Sequence, residues 1–263
     1  MGLFDKLFQK KICDICGSEI GLLGNRKLED GNCCKNCASK LSRWFDDRRH
    51  STVAQIRQQL DYRAENQEAL KSFHATKVIG EENLVYIDEK TRRFFVARHK
   101  DYMSENPDIL SFDQITDCKL DIDEYKKEIL REVTDAEGNT KKVSYTPKRF
   151  LYQYNFEMII RVNSPYFDDM TFRLNDQTLE LESGGSRGLI DFSAPGFDPS
   201  RDMEYRSYVS MGDEIIQILT GEAPAAEEAV EAPVQAAAAP KFCPNCGAPA
   251  NGGKFCEHCG TKL

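Results

Sequence analysis

Apolar and polar residues alternate along residues 150–162, with Tyr152, Tyr154, Phe156, Met158, Ile160 and Val162 at one parity and Gln153, Asn155, Glu157 and Arg161 at the other. A period of two predicts a strand with one face on a core. Shorter runs rich in aromatic and β-branched residues, at 84–88, 93–98, 117–123 and 170–174, predict further strands between polar turns. Within the third run Cys118 shares a face with Leu120 and Ile122, which reads as a buried structural thiol rather than a nucleophile. Residues 126–148 are polar and predict a projecting hairpin whose loop is Asp135-Ala136-Glu137-Gly138-Asn139.

Two stretches change to a helical period. Thr52 with Gln55 makes a capping box, and Val53, Ile56, Leu60, Ala64, Gln67, Leu70 and Phe73 then recur at threes and fours, predicting one helix to about His74. The expected role is a spacer between the first domain and the body; the competing reading is a dimeric coiled coil, although Gln67 interrupts its stripe. The second helix is punctuated by Asp198 and Pro199 at its start and Gly221 at its end, with Tyr205, Tyr208, Val209, Ile215, Ile216 and Leu219 on the buried side. Gly212 interrupts that helix at a cost of about 1 kcal/mol, which suggests close packing there. Near the N-terminus, Leu3, Phe4, Leu7 and Phe8 form an apolar stripe beside Lys6, Lys10 and Lys11. Packing on a neighbouring domain is the preferred reading over a membrane-surface foot, and Lys6 spoils a myristoylation pattern.

The cysteines add chemistry to this outline. Cys13-Asp14-Ile15-Cys16 and Cys34-Lys35-Asn36-Cys37 are C-x2-C pairs separated by seventeen residues, and Cys243-Pro244-Asn245-Cys246 with Cys256-Glu257-His258-Cys259 repeats the pattern with a shorter spacer. Two such pairs can surround one Zn²⁺ with four thiolates, a closed tetrahedron without a position for water. Two structural zinc sites are therefore expected: one on Cys13, Cys16, Cys34 and Cys37, the other on Cys243, Cys246, Cys256 and Cys259. Cys33 is either a small buried apolar residue or an alternative ligand to Cys34. Gly17 supplies the positive φ of a metal-holding turn, whereas Ala38 stands at the equivalent place after the second pair. A helix over residues 34–45, with Leu41, Trp44 and Phe45 covering the site, would make a treble-clef-like module. Lys11, Lys35 and Lys40 near the first site, and Lys241, Lys254 and Lys262 near the second, offset the tetrathiolate charge. His258 reads as a surface residue.

Composition then bounds the whole. The 263 residues are 40% hydrophobic and 30% charged, with a net charge of -8 and no apolar run long enough to cross a bilayer. The acidic balance disfavours a dedicated nucleic-acid binder. Cysteine pairs at metal spacing, without an export signal, point to the cytoplasm rather than to disulfides. Residues 222–240 are almost wholly Ala, Glu, Pro, Val and Gln and read as a disordered tether. The expected division is an amphipathic segment (1–11), a four-cysteine zinc domain (12–50), a linking helix (51–75), a β-domain with C-terminal helix (76–220), a linker (221–240) and a zinc ribbon (241–263).

Three resemblances add to this α+β multidomain reading. Met1-Gly2-Leu3-Phe4-Asp5-Lys6-Leu7-Phe8, the first cysteine pairs and Leu28-Glu29-Asp30-Gly31 resemble a bacterial zinc-binding domain of unknown function, number 4428. That resemblance implies cysteine ligands and no activity. An antiparallel sheet followed by one amphipathic helix, entered through Ile109-Leu110-Ser111-Phe112-Asp113-Gln114-Ile115-Thr116, resembles the pleckstrin-homology-like superfold with its GRAM-like members, as a barrel or open sheet. The end of the chain resembles a short zinc ribbon. No catalytic or organic-cofactor motif is recognised, and Lys141, Lys142, Lys148 and Arg149 read as a solvated hairpin face before an anion site. The expectation is a non-enzymatic scaffold that engages protein partners through the β-domain and the tethered ribbon. The alternatives are a peripheral anionic-lipid module and nucleic-acid binding through the ribbons.

Overall fold

The computed structural model describes residues 11–98, 100–183, 186–187, 190–191 and 197–221. By backbone contacts the chain divides into two units, Met1–Pro224 and Ala225–Leu263, and every described residue belongs to the first. The N-terminal stripe up to Lys10, most of the linker, the second cysteine set, His99 and His258 lie outside the described residues.

The first elements are short. β1 (Lys11–Ile12) pairs with β2 (Glu19–Ile20), β3 (Asn25–Lys27) pairs with β4 (Asn32–Cys34), and one helical turn, α1 (Lys35–Ala38), follows at once. The helix expected over residues 34–45 is thus cut to its first turn. Beyond Ser39 the β-domain captures the chain: Ser42 Oγ donates to Asp108 (2.7 Å), Arg43 reaches Glu105 and Asn83, and Trp44 packs toward Phe172. Leu41 and Phe45 remain with the cysteine module, but Trp44 joins the main core instead.

α2 (Val53–Leu70) begins on the Thr52–Gln55 capping box and ends about a turn before His74. It is no free spacer. Its buried residues are Ile56, Gln59, Arg63, Asn66 and Leu70, a stripe offset from the apolar one read in the sequence, and Ala64 and Gln67 are exposed. Ile56 sits in the small core around the cysteines, and Leu70 in a second small core with Phe73, Leu84, Tyr86, Phe95 and Ala97. Polar partners accommodate Arg63 and Asn66 in this stripe, whereas the buried Gln59 amide has none. Arg63 Nη1 donates to Asp108 (2.8 Å) and its Nε to Lys40 O (3.1 Å), while Asn66 exchanges hydrogen bonds with Asn106, Pro107 O and Ile109 N.

Two antiparallel four-stranded sheets follow. β5 (Lys77–Ile79), β6 (Leu84–Asp88), β7 (Arg93–Ala97) and β8 (Leu110–Ser111) lie in chain order in one. In the other, β9 (Ile115–Thr134) runs along one side of β10 (Thr140–Val162), and β11 (Asp169–Arg173) and β12 (Leu179–Glu182) pair in turn with its other side. No strand pairing joins the two sheets among the described residues, so the barrel form of the expectation gives way to separate sheets. β6 and β7 are buried on both faces, against the main core and against the end of α2, which explains their continuous apolar runs. β10 keeps the expected alternation, Tyr152 through Val162 being buried at every second position. It begins ten residues earlier than expected, because polar residues 126–148 continue the β9–β10 ladder to Thr134↔Thr140, with one register shift between Ser144 and Arg149. Cys118 is buried opposite Ile160, on the core face.

Asp198 caps a short 3-10 turn, Pro199–Arg201, rather than the helix itself. Asp202 caps α3 (Met203–Thr220) through the amides of Glu204 and Tyr205, and Gly221 closes it with φ 76°. α3 packs its Tyr205, Tyr208, Ile215 and Leu219 into the main core. A Cβ on Gly212 would lie 2.8 Å from Leu120 Cδ2 of β9, so this glycine marks the close approach that the sequence suggested.

Candidate metal centre

The Sγ atoms of Cys13, Cys16, Cys34 and Cys37 lie within 4.8 Å of one another, a grouping able to hold a metal ion. Cys13 and Cys37 are 4.0 Å apart and Cys16 and Cys34 3.8 Å. Four sulfurs about 2.3 Å from a central Zn²⁺ form a tetrahedron of edge about 3.8 Å, so the spacing matches this ion with little adjustment. Cys33 takes the other side of β4. It is fully buried in the small core, where burial raises its thiol to about 11, and it is not one of the four converging sulfurs.

Local folding explains the convergence. In the first knuckle Gly17 has φ 74° and donates its amide to Cys13 O (2.8 Å), which folds the turn back on itself. The second pair needs no such glycine because Cys34 is the N-cap of α1, its Sγ accepting the Cys37 amide at 3.4 Å. The Cys34 amide in turn donates to Cys13 Sγ (3.2 Å), linking the two pairs. Gly31 is a point of close packing: a Cβ there would come within 2.6 Å of Val53 Cγ2 and 2.8 Å of Asp14 Oδ2, so that these side chains would have to shift. Asp14 accepts from the Asn32 amide (2.6 Å), and Asp30 accepts from the first amide of α2 at Val53 (2.7 Å), so the helix is fastened to the knuckles.

The thiols differ in setting. Cys13 is buried, which opposes ionisation, but amides of Cys16, Cys34 and Ile15 outweigh this and lower it. Cys16 is exposed and is lowered to about 6, first by the Ser18 hydroxyl and then by the Ser18 amide. Burial and the neighbouring thiols push Cys37 up. A bound cation would hold all four as thiolates. Beside Cys16 and Cys37 opens a cleft of about 490 Å³ that Lys40, Arg63, Glu105 and Asn106 also line.

Other residues singled out in the sequence do not gather. Lys148 pairs with Glu128 (3.3 Å), Arg149 lies over Tyr145, Lys142 stands opposite Glu132, and Lys141 and Lys142, as neighbours in a strand, belong to opposite faces. His50 pairs with Asp47 on the surface, and His74 is exposed. Sequence reasoning missed Arg63, Asn66 and Asp108, which tie the metal module to the β-domain. Their signal was present as polar residues at positions 63 and 66, at helical spacing from Ile56 and Leu70, but a search for apolar periodicity passes over it.

Residues 11–59, the cysteine module and the first part of α2, match the family model described as a domain of unknown function, DUF4428. No curated protein and no solved structure matches the chain. The N-terminal part of this protein is thus similar to that family over residues 11–59, and carries there a four-cysteine cluster that fits a zinc-binding domain.

Proposed function

We propose that the chain is a non-enzymatic interaction protein whose N-terminal module is held by structural zinc and whose β-domain presents a binding edge to protein partners. Four thiolates complete the tetrahedral shell of Zn²⁺, so in this reading the ion shapes the module and takes no substrate. Cys243, Cys246, Cys256 and Cys259 would hold a second zinc in a tethered ribbon. The observation that carries the interaction reading is β9: among the described residues it pairs only with β10 along its 20 residues, while α3 packs against it. An unpaired strand edge offers main-chain hydrogen bonds to an added strand, and charged residues such as Asp117, Lys119, Asp121 and Asp123 discourage indiscriminate pairing.

A pleckstrin-homology-like classification of the β-domain belongs to the same proposal. Its support is two antiparallel sheets sharing one core with a C-terminal helix. The test is co-purification from the native host. The full chain is expected to retain a discrete protein partner. Shortening the β9–β10 hairpin should release it, and Cys243→Ser with Cys246→Ser should weaken it. A partner held equally by all three chains would overturn the assignment to β9 and the ribbon.

A further inference from the structure

Leu22 and Leu23 stand outside every core of the described molecule. In the turn Gly21-Leu22-Leu23-Gly24, which the Gly24 amide closes on Gly21 O (2.9 Å), Leu22 is 81% exposed and Leu23 87%. Single exposed aliphatic residues are ordinary on protein surfaces. Leu22 and Leu23 are different: they are the only sequence neighbours among the large, exposed apolar residues described.

The turn is firmly mounted. Ile20 before it is buried in the small core, Asn25 after it enters β3, and Arg26 Nη1 donates to Leu23 O (3.2 Å) and Asn25 O (3.3 Å). Cations flank it on two sides. Lys11 pairs with Ile20 at the end of the β1–β2 ribbon adjoining the turn, and Arg26 and Lys27 lie on the outgoing strand, on opposite faces of it. Glu19 is the acidic residue of that ribbon, paired with Ile12 one position farther from the tip.

We infer that Leu22 and Leu23 form a wedge that enters the surface of an anionic lipid bilayer, with Lys11, Arg26 and Lys27 at the headgroups. A projecting aliphatic pair with Arg26 held at its base and Lys11 at the adjoining ribbon end suits this partner: the leucines can reach the acyl boundary while the charges remain in the anionic surface. Protein interfaces are anchored chiefly by Trp, Tyr and Arg in pockets, with leucine under-represented, and the tip carries no aromatic residue. The inference uses the cysteine module as a rigid mount and stands apart from the open edge of β9.

Flotation of the zinc-loaded full chain tests it, on vesicles of phosphatidylcholine containing phosphatidylserine and on phosphatidylcholine alone. The wild type is expected to float with the first, more weakly with the second, and less as salt is raised. Leu22→Ser with Leu23→Ser should lower flotation roughly tenfold or more, given the apolar area withdrawn from lipid. Because both side chains are solvated, the thermal melt and zinc content should not change. Lys11→Glu with Lys27→Glu should abolish the preference for the anionic vesicles. Equal flotation of wild type and the leucine variant would overturn the proposal, as would failure of the wild type to float. Self-association that depends on the two leucines, without vesicle binding, would assign the tip to a second copy and overturn it equally.

Discussion

The cysteine module and the β-domain differ most in how much apolar core each has to fold on. Around the cysteines the described core has seven buried apolar side chains, of which Cys13, Cys33 and Cys37 are three, whereas the β-domain core has twenty-four, drawn from both sheets and α3. A core of the first size falls short of the conformational entropy of its loops, and binding of zinc, worth roughly 10–16 kcal/mol of apparent free energy in small modules, would make up the difference. The second core needs no such addition. The comparison teaches that one chain can join a part with a very small apolar core to a part with a large one through one helix, α2, whose ends belong to the two cores that flank its polar middle.

The largest expected effect separates the parts. Cys13→Ser, or a strong chelator, should unfold the cysteine module while the β-domain keeps its own cooperative transition; hydrogen exchange resolved along the chain measures this. Protection that persists in residues 11–50 would mean that the metal is dispensable. Phe156→Ala, in the fully buried row of β10, does the converse. It should cost the β-domain about 3–5 kcal/mol with the metal content unchanged.

Asp108→Ala probes the joint. Asp108 and Arg63 are 1% and 5% exposed, and removing the carboxylate leaves the guanidinium and the Ser42 hydroxyl without their partner. The loss should be about 3 kcal/mol and should appear as two separated thermal transitions in place of coupled ones. Replacing both members, Arg63→Met with Asp108→Leu, should recover much of it, because no charge is then left buried. A single-mutant melt equal to that of the wild type would show the joint to be ornamental.

The smallest effect concerns α3. Tyr208 Oη donates to Glu81 (2.7 Å), and burial, reinforced by that carboxylate, keeps its phenol protonated to higher pH than usual. A raised folded-state value contributes stability that is fully present below the unfolded value of about 10 and is lost as pH rises past it. Tyr208→Phe should therefore cost about 1 kcal/mol at neutral pH and make the alkaline decline shallower, which urea melts at pH 8 and about pH 10.5 would measure.

Much of this was legible in the sequence where one physical rule dominates. The spacing of Cys13, Cys16, Cys34 and Cys37, the φ of Gly17, the Thr52–Gln55 cap and the alternation of β10 each follow from local chemistry. Illegible features arise where tertiary contacts override the local preference. Nothing near Ser39 breaks a helix, yet α1 ends there because Ser42, Arg43 and Trp44 are drawn to Asp108, Glu105 and Phe172. The apolar row of α2 identified the helix but not its buried face, since Arg63 and Asn66 outbid Ala64 and Gln67 through hydrogen bonds to residues some forty positions away. β5 and β12 were too short to declare a period. Residues 126–148 gave the hairpin but not that it extends the β9–β10 ladder across a register shift, because both faces of a projecting ribbon are largely solvated and carry little alternation.

The most direct measurement is the zinc content of the full chain carrying Cys243→Ser and Cys246→Ser, purified without chelator, so that the first four cysteines are counted apart from the second set. One tightly held equivalent per chain, kept by Cys33→Ser and lost with Cys34→Ser, is the result the account predicts. A content near zero, or an equivalent that depends on Cys33 and not on Cys34, would contradict it.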